Sequence, residues 1–265
     1  MGIIVKDVIF NYPNGFCAID GVSIEISHGE KVAIIGQNGA GKTTFVKMMN
    51  NLLRPTSGLV EVDGIDLSTL TTAQISKKVG YVFQNPGDQL FNRTVFDEIA
   101  YSPRYHKIPE AKVKELVEDA AELCGITQFL KTNPYDLPFG MRKFVTIACV
   151  IAMGSEYIIL DEPTAGQDLD GLITQSKVID ELIKRDKTVI IITHDMEFVI
   201  DNFERIIVMA NKKIVADSTS HKVFWDFDIL ERANLKQPSI SKLGNELGIA
   251  GIVTIDEFIE KYKKQ

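Results

Sequence analysis

Lys31-Val-Ala-Ile-Ile35-Gly36-Gln-Asn-Gly39-Ala-Gly41-Lys42-Thr43-Thr44 decides how this chain is read. Residues 31–35 form a short, β-branched apolar run of the kind found in strands buried on both faces, and a helical pattern begins at about Lys42. Between them the spacing fits G-x-x-x-x-G-K-[ST], with Gly36, Gly41, Lys42 and Thr43 on the fixed positions. Glycines let the main chain curl until successive N–H groups and the start of a helix converge on one point, which suits phosphate. Lys42 then reaches the β and γ oxygens, Thr43 ligates Mg²⁺, and Gln37, Asn38, Gly39, Ala40, Gly41 and Thr44 complete the cradle. A chance Gly-rich turn is the bland alternative; the strand before it and the helix after it argue against that.

Tyr157-Ile-Ile-Leu160-Asp161-Glu162 is a hydrophobic strand that runs into two carboxylates. The first suits Mg²⁺ and the second suits orienting or deprotonating water, a division of labour that phosphoryl transfer requires. Strand alternation is expected to send the two side chains in different directions. Gln84 closes a strand predicted at 81–83, and His194 follows one predicted at 188–192. Carboxyl ends of parallel strands gather around one ligand crevice, so both are expected near the γ-phosphate. Alone, a Gln, a His or an acidic pair at a strand end is ordinary; their joint placement behind a phosphate loop gives them meaning.

Working outward, residues 3–10 and 22–26 alternate in strand fashion around an Asn14-Gly15 turn, an antiparallel β entry. The strands at 81–83, 157–160 and 188–192 are separated by helical patterns, as in a mostly parallel sheet with crossover helices. Between 85 and 154 the pattern is almost wholly helical: Thr94 and Asp97 stand at capping-box spacing, and Val113, Leu116, Val117 and Ala120 share a face. Beyond 218 the chain turns helical again. Thr254 and Glu257 cap a last helix whose Ile255, Phe258, Ile259 and Tyr262 share one apolar face; such a stripe is more often simple packing, and dimerising, regulating or covering the core all stay open for this tail. The expected fold class is α/β: a P-loop NTPase core with a mostly parallel sheet, an antiparallel β entry, an inserted helical subdomain and a small helical C-terminal extension. Residues 1–217 are expected to be the nucleotide-binding domain, with the helical subdomain at about 85–154, and 218–265 the extension.

With 265 residues, 45% hydrophobic and 25% charged, the chain has room for one large core and an appendage. No stretch reaches the ~18 uncharged apolar residues of a membrane-spanning helix. The opening MGIIVKDVIF lacks a basic-then-apolar leader pattern, so any membrane role is expected to run through a partner. A net charge of −7 argues against a broad nucleic-acid footprint, and no nucleic-acid partner is expected; Lys261, Lys263 and Lys264 read as a solvated helix face. Cys17, Cys124 and Cys149 stand apart without metal spacing, which suits a reducing cytoplasm.

Together these segments resemble the ATP-binding subunit of ABC transporters over residues 1–220. The resemblance implies ATP and Mg²⁺ as ligands, and hydrolysis to ADP and phosphate coupled to transmembrane transport. It implies that Tyr12, in Phe10-Asn-Tyr12-Pro13, stacks on adenine. Gln84 matches the Q-loop glutamine, which makes it a Mg²⁺ ligand beside Thr43 and Asp161. Asp161 and Glu162 match the Walker B aspartate and the catalytic glutamate, Ala165-Gly-Gln-Asp168 the D-loop, and His194 the switch histidine. Lys42, Gln84, Glu162 and His194 are the implied catalytic set.

More narrowly, Tyr81-Val-Phe-Gln-Asn-Pro-Gly-Asp-Gln-Leu-Phe91, Asp161-Glu-Pro-Thr-Ala-Gly166 and the tail with Thr254-Ile-Asp-Glu-Phe258 are similar to the energy-coupling-factor and cobalt-transport importers. That branch implies uptake of vitamins or transition-metal ions. It pairs two ATPases with a transmembrane coupling protein and a substrate-binding membrane protein, at the cytoplasmic face of the membrane. It often carries an acid where Gly87 stands here, so Asp88 or Gln89 is expected to meet the coupling protein.

The main departure is Leu137-Pro138-Phe139-Gly140-Met141, where the family signature is Leu-Ser-Gly-Gly-Gln. In the family this loop opens a helix and offers a hydroxyl and backbone N–H groups to the nucleotide of the opposite subunit. Pro138 removes a hydroxyl and an N–H, and Phe139 adds bulk where glycine permits close approach. The expectation is an asymmetric heterodimer with a second ABC ATPase that carries an intact signature. The rival reading is a soluble ABC ATPase in metal-cluster assembly, and membrane co-purification separates the two.

Overall fold

The computed structural model describes residues 1–263. Its first half runs β1 (Gly2–Asn11), β2 (Cys17–Ser27), β3 (Lys31–Ile35), α1 (Lys42–Met49), β4 (Ser57–Val62), β5 (Ile65–Asp66), α2 (Thr72–Ser76), β6 (Val79–Val82), α3 (Val95–Tyr105) and α4 (Glu110–Leu123). It continues with α5 (Phe139–Met153), β7 (Tyr157–Asp161), α6 (Leu169–Lys184), β8 (Thr188–Ile192), α7 (Met196–Asn202), β9 (Arg205–Ala210) and β10 (Lys213–Thr219). Four helices end it: α8 (Ser220–Trp225), α9 (Phe227–Ala233), α10 (Ser239–Glu246) and α11 (Ile255–Tyr262). Within the described residues these elements form two compact units, 1–26 with 31–68 and the chain from 192 onward, and 27–30 with 69–191.

In the first unit, β1 and β2 meet through a turn in which the Tyr12 N–H donates to Phe16 O and the Gly15 N–H to Tyr12 O. They belong to a sheet of order β2-β1-β4-β5, with Ile3 opposite Val62 and Val5 opposite Val60. All four of those side chains are buried, so this β entry has one closed face. β3 pairs in parallel with β9, and β10 lies antiparallel beside β9. Val32 through Ile35 are wholly inaccessible, as a run apolar at every position requires.

The final helices follow a more particular logic. Trp225 Nε1 and Ser241 Oγ both donate to Ile252 O, at 2.7 Å each, pinning the loop before α11. Thr254 and Glu257 form the reciprocal capping box expected of them. Of the apolar stripe, Phe258 is half-buried while Ile255, Ile259 and Tyr262 are exposed, so most of that face is uncovered within the described residues. Lys261 donates to Ala250 O at 2.7 Å and is not simply solvated, while Lys264 lies outside the described residues.

In the second unit, β6 pairs in parallel with β7, from Val79 opposite Tyr157 to Val82 opposite Leu160, and β8 flanks β7 on its other side. The strand begins two residues before the predicted 81–83 and ends before Phe83, because its pairing with β7 stops at Val82. α3, α4 and α5 pack on one another as a helical group. Thr94 caps α3 by accepting from the Asp97 N–H, while the Asp97 carboxylate turns to the Thr94 hydroxyl and to Arg104. Those two partners hold the Asp97 carboxyl below its ordinary range.

Candidate functional site

The phosphate-loop motif is built as its residue types demand. Gly36 sits at φ +148°, where a Cβ would lie 2.1 Å from Met209 O. Gly41 sits at φ +102°, with its would-be Cβ 2.7 Å from Ala18 O. Neighbouring main chain therefore excludes any side chain at both positions. Asn38 and Gly39 are exposed and Ala40 is buried. Gly41 is also the N-cap of α1 and has no side chain to satisfy the first N–H groups of the helix, so the turn presents main-chain donors. Lys42 is 7% exposed and folds back, with Nζ 2.8 Å from Gly36 O and 3.1 Å from Gln37 O. That places a buried cation beside the loop amides.

Thr44 is buried, and its hydroxyl is 2.9 Å from the Tyr12 hydroxyl, which ties the aromatic of the β1–β2 turn to α1. The Tyr12 ring meets Phe10 edge-on at 4.9 Å and lies near-parallel to Phe16 at 6.5 Å. His194, in the same unit, is exposed immediately before Asp195, which caps α7 by accepting from the Phe198 N–H.

The acidic pair occupies the second unit. All five residues of β7 are buried, and Asp161 at its end is 2% exposed. The Tyr81 hydroxyl donates to Asp161 Oδ2 at 2.6 Å. Burial, then the charge of Asp161 and this hydrogen bond, holds the Tyr81 proton well above the ordinary phenol range. Glu162 corrects the strand-alternation expectation: the strand ends at Asp161, and Glu162 adopts φ +49°. A left-handed residue, and not the pleat, sets its direction. Lys143 of α5, 1% exposed, donates from Nζ to Glu162 O. Burial pushes Lys143 down to about 8 against the opposing pull of Glu162 and Asp161.

Gln84 is exposed just past β6. The stretch after it is fastened from within: the Phe83 N–H donates to Gln89 Oε1 at 3.2 Å, and the Tyr135 hydroxyl donates to Leu90 O at 2.8 Å. Asp88 stays exposed.

Pro138 is the N-cap of α5 and gives no side-chain hydrogen bond, as its lack of a hydroxyl dictates. The ring of Phe139 is 46% exposed and packs where a Cβ on Gly166 would lie 3.1 Å from it. Gln167 of the D-loop stretch donates to Gly140 O at 3.2 Å, and Asp168 caps α6 through the Gly171 N–H.

Main-chain donors at an uncapped helix start beside a buried lysine fit a triphosphate. Thr43 in the first unit, and Gln84 and Asp161 in the second, are oxygen donors of the kind Mg²⁺ takes. Among the described residues there is no cluster of three or more His, Cys, Asp or Glu suited to a metal. Tyr81 and Lys143 had no signal in the sequence: their partners are 80 and 19 residues away.

The sequence model of the ABC transporter family matches residues 19–165, more than half of the chain. The energy-coupling factor transporter ATP-binding protein EcfA of Methanothermobacter thermautotrophicus is 38% identical over 252 residues, covering 93% of this chain and 80% of the relative. EcfA of Methanocaldococcus jannaschii is 38% identical over 240 residues, covering 90% and 86%. Among solved structures, CbiO1 of Clostridium perfringens, part of the ABC transporter complex CbiONQ, superposes with a TM-score of 0.79 at 31% identity, covering 92% of this chain and 98% of that one. A dimeric post-hydrolysis state of the ATP-binding cassette MJ0796 with ADP and Pi gives a TM-score of 0.75 at 25% identity, covering 82% and 98%. No helix among the described residues is long and apolar enough to cross a membrane. Sequence relatives, solved cassettes and the phosphate loop agree, and the chain belongs to the ABC transporter family as an ATP-binding, ATP-hydrolysing subunit.

Proposed function

We propose that this chain is one ATPase of an energy-coupling-factor importer for vitamins or transition-metal ions. It sits at the cytoplasmic face of the membrane on a transmembrane coupling protein that works with a substrate-binding membrane protein. The observation that carries the reading is the 38% identity to two EcfA proteins over at least nine-tenths of this chain. Residues 1–217 act as the nucleotide-binding domain, with the helical subdomain at 85–154, and 218–265 as its extension. Asp88 is the exposed acid available to the coupling protein, because Gln89 spends its side chain on Phe83 and Thr146.

In the catalytic cycle Tyr12 stacks on adenine, and residues 37–44 surround the phosphates with main-chain donors and Lys42. Thr43, Asp161 and Gln84 would hold Mg²⁺, which would supply positive charge to the phosphates. Glu162 takes the proton of the attacking water, and His194 contacts the γ-phosphate. Lys42 and the loop amides stabilise charge developing on the phosphoryl oxygens. The second subunit is a different ATPase with an intact signature, because Pro138 and Phe139 leave this chain without the hydroxyl and the open backbone that its partner's nucleotide needs.

Tagging this chain and purifying it from detergent-solubilised membranes tests the proposal. The expected result is a complex containing a second ATPase with a complete signature and a multi-spanning protein. Recovery only from the soluble fraction, with cluster-assembly proteins, contradicts it.

A further inference from the structure

We propose that Lys143 is a positioning residue for Glu162: from the first turns of α5 it holds the Glu162 carbonyl, and with it the left-handed backbone that sets where the carboxylate leaves β7. The inference rests on the reading of Glu162 as the residue that takes the proton of water. Glu162 carries a Cβ and yet stands at φ +49°, a conformation that non-glycine residues keep only where the surroundings over-determine it. Two donors meet its carbonyl: the Ala165 N–H of the following turn at 3.3 Å and, from another element, Lys143 Nζ at 2.5 Å.

Packing does not explain a lysine here. Its neighbours on α5, Phe144, Val145, Ile147 and Ala148, are all buried and apolar and already supply the core. A buried ammonium is unfavourable where an apolar side chain of similar length would fill the same space. What the ammonium adds is a donor to one particular carbonyl. The face of the Phe139 ring, 5.4 Å from Nζ, steadies the charge on the helix side. Asp161 accepts from the Tyr81 hydroxyl, so the two adjacent acids have anchors on different elements.

The test uses the transporter complex purified through this chain, together with the isolated full chain. In the complex, Lys143→Met is expected to lower kcat by about tenfold or more while KM for ATP stays within about twofold, the pattern of a lost transition-state geometry. Lys143→Gln keeps an N–H donor and is expected to fall between Met and wild type. In the isolated chain, amide hydrogen exchange is expected to rise around residues 162–166 and nowhere else, with the melting temperature at pH 7 unchanged or higher. Unchanged kcat in both variants, while Glu162→Gln in the same complex abolishes hydrolysis, overturns the role of Lys143 and leaves that of Glu162 standing. Hydrolysis that survives Glu162→Gln overturns the reading of Glu162 and the proposal with it. A general rise in exchange with a lower melting temperature makes Lys143 structural. If Lys143→Met does not fold, Lys143→Gln decides by the same readouts.

Discussion

The starts of α1 and α5 are both helix N-termini whose cap residue offers no side-chain hydrogen bond, and they end up chemically opposed. At α1 the cap is Gly41 in a left-handed conformation, with Gly39 open beside it and Lys42 following. At α5 the cap is Pro138 and the next residue is Phe139, half-exposed and lying against Gly166. Main-chain N–H groups bind an anion only where the anion can come close. The first helix start has glycine on both sides of that approach, and the second carries a proline and a bulky ring there. The difference is what the proposed function rests on: a chain that holds its own nucleotide and completes its partner's poorly.

The largest effects should come from breaking the intact side. In the purified complex, Lys42→Ala and Glu162→Gln are each expected to cut steady-state hydrolysis by ~10² to 10³. Calorimetry should separate them: ATP binding is lost with Lys42→Ala and kept with Glu162→Gln. Next comes Lys143, which faces Glu162 and Asp161 and titrates at about 8 in the folded chain against 10.5 as its ordinary value. From about pH 8 upward the folded state has shed a proton that the unfolded chain retains. Stability should therefore rise between about pH 8 and 10.5, by at most ~3 kcal/mol, and gain nothing from this group below that window. Urea unfolding across that range should show the increment in wild type and not in Lys143→Met.

Tyr81→Phe sharpens the comparison on the acidic side. It strips a buried carboxylate of a donor, so a loss of ~1.5 to 3 kcal/mol is expected in denaturant unfolding at pH 7. A higher Mg²⁺ requirement for hydrolysis should accompany it. Tyr12→Ala should be the mildest change, weakening ATP by about 1 kcal/mol, roughly fivefold in Kd, because one face of the base loses its aromatic partner.

What could be read in advance follows from how local each feature is. β3, the loop at 36–43 and α1 form one contiguous strand, turn and helix, so spacing and periodicity sufficed. The Thr254 and Glu257 capping box was equally local. β4 and β9 escaped notice because each is specified by a distant partner: β4 pairs with β1, some sixty residues upstream, and β9 with β3 across much of the chain. The turn at Glu162 escaped for the same reason, since the lysine that holds its carbonyl belongs to another element. The α11 stripe stayed open for a different reason. Periodicity shows that a face is apolar and says nothing of what covers it; here Ile255 and Tyr262 are more than half exposed.

The asymmetry between the two helix starts is tested most directly by ATP turnover of the isolated chain, wild type against a Pro138→Ser, Phe139→Gly double variant, at a concentration where subunits can pair. The account predicts that wild type binds ATP with Mg²⁺ but turns it over slowly, and that the double variant gains about tenfold or more. Vigorous hydrolysis by wild type alone, abolished by Glu162→Gln and unaltered by the double substitution, would contradict it.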